Sequence, residues 1–307
     1  MSKRASDSDS KKNGSKKAKY NHSKPQTHLE PNTRGIYISC DRGKEFRAKQ
    51  EILDLFEDKY EELLEKKVFV AVEGTENGNE DAEETNKSDL DIEEQLKLEM
   101  DDLKKKNKQD VKRGSLFQFI ELQMECLFFV KVHKTIDPVV LTLAVLEDAK
   151  MNNVKRTRYV SKIMPIMDSC SASKENFDKV LTSVYSKFNR SQENKNVEEN
   201  RNAEEKSENS EGETSSLGEK NQEAVIYSVD ITRRLFKVIE RDDIMRMATG
   251  KLRELNSSLA INYKEFDNLL IIQCFKSNIG FSIVKQKDWL AYKKFNLTQI
   301  FESKDEN

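Results

Sequence analysis

Histidine, cysteine, proline and long apolar runs are all scarce in this sequence, and each shortage removes a class of function. Only three histidines occur, His22, His28 and His133, two of them in a polar N-terminal tail, so neither a His-based triad nor a three-His metal site can assemble. The four cysteines, Cys40, Cys126, Cys170 and Cys274, lie far apart without a CxxC pair and read as reduced core thiols of a soluble, intracellular protein. There is no run of about 18 apolar residues, and no apolar stretch follows the basic N-terminus, so the sequence predicts neither a bilayer span nor a secretory signal. The ten glycines form no Walker loop and no dinucleotide or S-adenosylmethionine fingerprint after a strand. The nearest approach, ATGK at 248–251, falls inside a predicted helix whose amides are already bonded. Acidic pairs sit in polar inserts or at a helix start, where solvation or capping accounts for them. The expectation is a protein without a catalytic, metal or cofactor site.

Charge is abundant instead. Charged residues make up 35% of the chain and hydrophobic ones 36%, which is too polar for one continuous core. Setting aside 1–30, 73–112 and 189–223, which lack apolar periodicity, leaves about 200 residues, enough for two domains of about 100 residues each. The net charge of −2 conceals segregation along the chain. Residues 1–28 carry eight basic side chains against two acidic ones, and residues 73–102 carry thirteen acidic against two basic. Residues 150–190 and 224–300 together hold 22 basic and 11 acidic side chains, so the second half presents a basic globular surface. Between them, 189–223 has no aromatic residue and only Val197 and Leu217 as larger apolar side chains. Such a segment does not offset its ordering entropy and is expected to be a solvent loop.

The tail spells KR, eleven residues, then KKAK, a spacing that suits a bipartite nuclear import signal and equally a solvated or RNA-touching tail. Order is expected from Gly35, where GIYISC reads as a buried strand. Phe46, Ile52, Leu53, Phe56, Tyr60, Leu63 and Leu64 then draw one stripe along a helix from Lys44 to Glu65. Two β-prone runs, 117–124 and 127–132, form an antiparallel pair or one bent strand, and Asp137 with Pro138 starts a helix carrying Leu141, Val145 and Leu146. This makes a ferredoxin-like unit at 31–150, interrupted by the acidic insert 73–112. A second unit is expected from 151, beginning with KRTRY at 155–159 and a strand through Ile163 to Cys170. A helix capped by Ser173, an alternating strand at 225–231 and a helix with Asp242 and Asp243 in its first turn follow, then a hairpin connected by Lys276, Ser277 and Asn278. Gly250 inside the last of these helices is attributed to close packing.

Basic residues gather at strand ends and turns. Lys155, Arg156 and Arg158 flank Tyr159, close to Lys162; Arg233 and Arg234 end the alternating strand; Lys276 and Asn278 sit at the hairpin tip; Lys293 and Lys294 lie in the C-terminal segment. Arginine forks grip phosphates and an aromatic face stacks on a base. Each cluster alone also fits a solvated surface, and Trp289, Tyr292, Phe295 and Ile300 fit the core face of a last helix. Together with the charge excess they favour RNA, with single strands or ends suited better than a duplex groove.

The runs KRTRYVSKIMPI, VDITRRLFKVIERDDIM and LLIIQCFKSNIGFSIV resemble the THUMP domain, and among its carriers the fungal tRNA-acetylation adaptor family. The resemblance spans nearly everything from Gly35 to Ser303. It implies a ferredoxin-like unit followed by a THUMP domain and does not cover the tail or the inserts. With these the chain is read as α/β (α+β): a disordered basic tail at 1–30, the ferredoxin-like unit at 31–150, a THUMP domain at 151–287 with the insert 189–223, and a C-terminal segment at 288–307. The resemblance further implies a non-catalytic protein that presents leucine and serine tRNAs to an RNA cytidine acetyltransferase for 4-acetylcytidine formation in the D-arm; the expected location is the nucleus and nucleolus. Acetyl-CoA and ATP then belong to that partner, and no small-molecule substrate or membrane is implied. The RNA contacts carried over are Lys155, Arg156, Arg158, Arg233, Arg234, Lys276 and Asn278. Two alternatives remain open: a self-sufficient RNA-modifying enzyme, and a structural component of a nuclear ribonucleoprotein without a part in acetylation.

Overall fold

The structure, a computed structural model, describes residues 28–66, 68–69, 116–151, 156–204 and 225–305, the side chains of 194–204 and 303–305 excepted. The import-signal motif, the acidic insert, Lys155 and residues 205–223 lie outside the described residues.

The first sheet consists of β1 (Gly35–Cys40), β2 (Phe117–Met124), β3 (Leu127–Val132) and β4 (Val160–Ile166), with helices α1 (Glu45–Glu65) and α2 (Pro138–Met151). Its order is β2-β3-β1-β4 with every pair antiparallel, which is the ferredoxin-like arrangement expected from sequence. The expected boundary at 150/151 is corrected by β4. That strand, assigned from sequence to the second unit, pairs with β1 in this sheet, Met164 opposite Tyr37 and Ile163 opposite Ile38. Without it β1 would be an open apolar edge.

Only Met167 separates β4 from β5 (Asp168–Ser171), and its N–H donates to the Phe281 carbonyl at 2.8 Å in the second sheet. That sheet adds β6 (Ile226–Arg234), β7 (Ala260–Ile261), β8 (Asn268–Phe275) and β9 (Asn278–Lys285), in the order β5-β9-β8-β6-β7. Strand β6 runs parallel to both β8 and β7, and the other pairs are antiparallel. Helices α3 (Lys174–Glu204) and α4 (Arg241–Leu255) belong to this unit.

Strand periodicity explains how the two sheets meet. In β8, Leu269, Ile271 and Phe275 join the core of the first unit, while Leu270, Ile272 and Cys274 join a second core with Phe177, Leu181, Ile244, Ala248 and Leu252 of α3 and α4. The sheets therefore pack face to face with helices outside. Gly280 permits the approach: a Cβ there would lie 2.8 Å from Ile166 Cγ2. The last residues, expected as a separate segment, return to the first unit. Helix α5 (Gln286–Ala291), a short turn at Lys293–Phe295 and α6 (Leu297–Asp305) place Trp289, Phe295, Leu297 and Ile300 in its core, with Trp289 edge-on to Phe295 at 5.2 Å.

Local chemistry sets the helices. Asp137 Oδ1 accepts from the N–H groups of Val139 (2.8 Å) and Val140 (3.3 Å), so the expected N-cap of α2 forms. Lys59 Nζ, nearly buried on α1, pairs with Asp148 at 2.7 Å and Glu62 at 2.6 Å, tying α1 to α2. Four details depart from the sequence reading. Phe46 does not join the buried stripe but is 72% exposed in the first turn of α1, where Ala48 and Leu55 complete the stripe instead. Helix α3 continues to Glu204, well into the presumed loop, because 189–204 lacks glycine and proline and is rich in Glu, Lys and Arg. The hairpin connection is two residues, since Asn278 already pairs with Phe275. Gly250 has open space where its Cβ would be, so close packing does not account for it.

These two glycines separate in denaturation experiments. Gly250→Ala should stabilise the protein by about 1 kcal/mol, whereas Gly280→Ala should destabilise it by about 1–3 kcal/mol through overpacking against Ile166.

Candidate nucleic-acid interface

The basic residues collect at one end of the two sheets. The Asp41 N–H donates to the Tyr159 carbonyl and the Cys40 N–H to the Cys126 carbonyl, both at 3.0 Å, so the end of β1, the approach to β4 and the β2–β3 turn lie side by side. That turn reaches the second sheet, where Lys276 Nζ is 3.5 Å from Gln123 Oε1. The Lys276 N–H in turn donates to the Arg234 carbonyl at 3.2 Å.

Tyr159 is the centre of the group. Lys44 and Arg47 on α1 and the adjacent Arg158 stand 5.8, 5.8 and 5.5 Å from its ring centroid. Arg47 Nη1 donates to the phenol oxygen at 3.0 Å. Lys44, Arg47 and Glu51 fall on one face of α1 at helical spacing. Glu51 uses Oε2 to accept from the backbone N–H groups of Arg158 and Tyr159, each at 3.0 Å, which pins the KRTRY run to the helix. The hydrogen bond from Arg47 favours the phenolate and draws the Tyr159 phenol below its ordinary range; desolvation opposes it, and the charges of Arg158, Arg47 and Lys44 add to the lowering. Among the described residues, none of Lys44, Arg47 and Arg158 has a carboxylate in ion-pair contact, although Lys49 is paired with Glu121, Arg42 with Glu125 and Arg246 with Asp243. Three cations around a tyrosine, with Glu51 beside them spent on backbone N–H groups and none of the three in ion-pair contact with a carboxylate among the described residues, make a site for an anion beside an aromatic ring.

The residues expected from sequence divide into three groups. Arg158 and Tyr159 belong to this patch, whereas Arg156 is occupied by Asp58, with Asp148 at 3.9 Å. Arg233 is likewise engaged, donating to Glu240 at 3.3 Å and to the Phe236 carbonyl at 3.2 Å. Asn278, expected as a contact at the hairpin tip, is only 3% exposed, and its Nδ2 donates to the Glu30 carbonyl at 3.0 Å. It ties the N-terminal segment to the second sheet and is not offered to a ligand. Lys162 and Arg234 are half-buried between the sheets, and burial lowers the pKa of both. Lys276 is partly exposed at the rim, and Lys293 and Lys294 are exposed. Sequence reasoning missed Lys44 and Arg47. Their spacing with Glu51 was visible, but Arg47 meets Tyr159 across 112 residues of chain.

No protein-family model matches the chain. It is 32% identical over 286 residues to the Saccharomyces cerevisiae protein named tRNA acetyltransferase TAN1, covering 90% of this chain and 87% of that one. An uncharacterized Schizosaccharomyces pombe protein is 27% identical over 278 residues, covering 90% and 79% of the two chains. The human THUMP domain-containing protein 1 is 21% identical over 275 residues, covering 90% and 66%. Two sheets packed face to face, with these relatives, define a protein of the THUMP-domain class. Within that class the chain belongs to the fungal tRNA-acetylation adaptor family.

The geometry at Tyr159 has a direct spectroscopic test. In an ultraviolet titration Arg47→Met should move the ionisation of Tyr159 to higher pH, because the largest stabilising contact to the phenolate is removed. A Tyr159→Phe control identifies the transition.

Proposed function

We propose that this chain is a non-catalytic tRNA-binding adaptor that presents tRNA to a separate RNA cytidine acetyltransferase, which forms 4-acetylcytidine in the D-arm of leucine and serine tRNAs. The observation that carries the binding half of this reading is the group of three cations without carboxylate partners around Tyr159. Phosphates supply the missing counter-charge, and the ring gives an unpaired base a surface to lie on. The acetylation half rests on family membership, since the similar yeast protein is named a tRNA acetyltransferase.

That name describes an enzyme, and the reading here differs in where it puts the chemistry. The sequence offers no nucleotide or acetyl-CoA fingerprint, so ATP and acetyl-CoA are assigned to the partner. The basic tail, with its two spaced clusters, supports work in the nucleus and nucleolus.

The test is acetylation of a leucine or serine tRNA transcript by purified RNA cytidine acetyltransferase with ATP and acetyl-CoA, in the presence and absence of this protein. Product is expected only when both proteins are present. Product from this chain alone would make it an enzyme, and tRNA binding without any stimulation would favour a structural ribonucleoprotein component. In the binding arm, Arg47→Met and Arg158→Met should each weaken tRNA affinity and lower the salt dependence by about one counterion per residue removed.

A further inference from the structure

The space between the two sheets holds positive charge that the protein leaves unbalanced. Lys162 of β4 lies on the same strand face as Ile166, which meets Gly280 of the second sheet, and Arg234 of β6 is in register with Phe275, which joins the first core, so both face the gap between the sheets. Arg234 and Lys294, the latter in the C-terminal turn, both act on Lys162, and the carboxylate acting on Lys162 and Arg234 is Asp230. Among the described residues none of the three cations has an ion-pair contact. Arg234 is held by its Nη1 donating to Gln273 Oε1 at 2.6 Å, and Lys162 Nζ lies 5.5 Å over the Trp289 ring. Neither arrangement supplies an opposite charge. Beside Arg234 the Tyr37 hydroxyl is buried and has no hydrogen-bond partner among the described residues.

The backbone carries a second sign. Lys293, Lys294 and Phe295 are three consecutive non-glycine residues with φ of 50°, 58° and 61°. L-residues avoid this left-handed region, and a run of three persists only where packing imposes it. Here Phe295 is fully buried against Trp289, and Asn296 forms a β-bridge with Lys162, so the strained turn fixes Lys294 beside β4.

We propose that Lys162, Arg234 and Lys294 form a phosphate site between the sheets, with the Tyr37 hydroxyl as a neutral donor, that takes one phosphate of the bound RNA. The inference rests on the tRNA-binding reading and adds to the exposed patch at Tyr159 a second, half-buried grip. Its two features have separate consequences. Partial burial of Lys162 and Arg234 makes their charge contacts stronger than one at the rim, and neutralising one member of an unbalanced cluster removes repulsion from the unliganded protein.

The experiment compares tRNA binding and thermal unfolding of the full chain with those of Lys162→Met, which keeps the aliphatic stem over Trp289, and Lys294→Gln, which is exposed and independent of the core. Arg47→Met serves as the rim control. Both cleft variants should keep or raise the unfolding temperature, bind tRNA roughly tenfold more weakly at low salt, and lose about one unit of salt slope. tRNA with and without its 5′ phosphate distinguishes the source: a loss confined to the phosphorylated form assigns the site to the terminal phosphate, and an equal loss assigns it to an internal phosphodiester. Wild-type affinity and salt slope in both cleft variants, with binding weakened by Arg47→Met, overturns the cleft site and leaves the adaptor reading standing. A wild-type protein that binds no tRNA overturns both.

Discussion

The face-to-face packing of the two sheets is the constraint from which the rest of the structure follows. Each sheet has one face under helices and one face toward the other sheet, so strands that would alternate between apolar and polar in an isolated domain are apolar on both sides. In β8 every residue from Leu269 to Phe275 is buried, and successive side chains enter different cores. The interface has no room for a side chain at Gly280, and Ile166 fills the space a Cβ would need. The core of the first unit includes Leu269, Ile271, Phe275 and Val284 of the second sheet, so its apolar burial depends on that sheet.

The same packing decides which charges are satisfied. Several cations that serve the fold have a carboxylate with them: Lys59 has Asp148 and Glu62, Arg156 has Asp58, and Arg233 has Glu240. The cations around Tyr159 and in the gap between the sheets have no ion-pair contact among the described residues. Leaving a charge unpaired and partly desolvated is costly, and the cost falls on Lys162 of β4 and Arg234 of β6.

Local features were legible in the sequence. The GIYISC strand, the α2 cap at Asp137, the two β-prone runs and the helical placement of ATGK all follow from neighbours within a few residues, and these were recovered. What stayed hidden was pairing at long range. Strand β4 looked like the opening of a second domain because nothing in VSKIMPI says that its partner is β1, more than 120 residues earlier. For the same reason Arg156 and Arg233 read as free cations, their carboxylates being supplied or withheld by folding. Asn278 read as a hairpin tip, yet one residue of register makes it a buried strand position. Lys44 and Arg47 went unnoticed because a helix start with two basic residues is ordinary until Tyr159 is set between them.

The passage from β4 to β5 through a single residue, Met167, has a further meaning. Modular RNA-binding proteins commonly join their units with a flexible tether, and a ligand then supplies the order by drawing the units together. Here the chain crosses from one sheet to the other as extended strand, with Met167 itself hydrogen-bonded to β9. There is no hinge at the crossing. The spacing between the Tyr159 patch on one unit and Arg234 and Lys276 on the other is therefore a fixed length, and the molecule acts as a caliper. On the proposed reading, an RNA whose phosphates match that length would bind without paying the entropy of domain closure, and selectivity for shape would then reside in the crossing strand, at residues that touch no ligand.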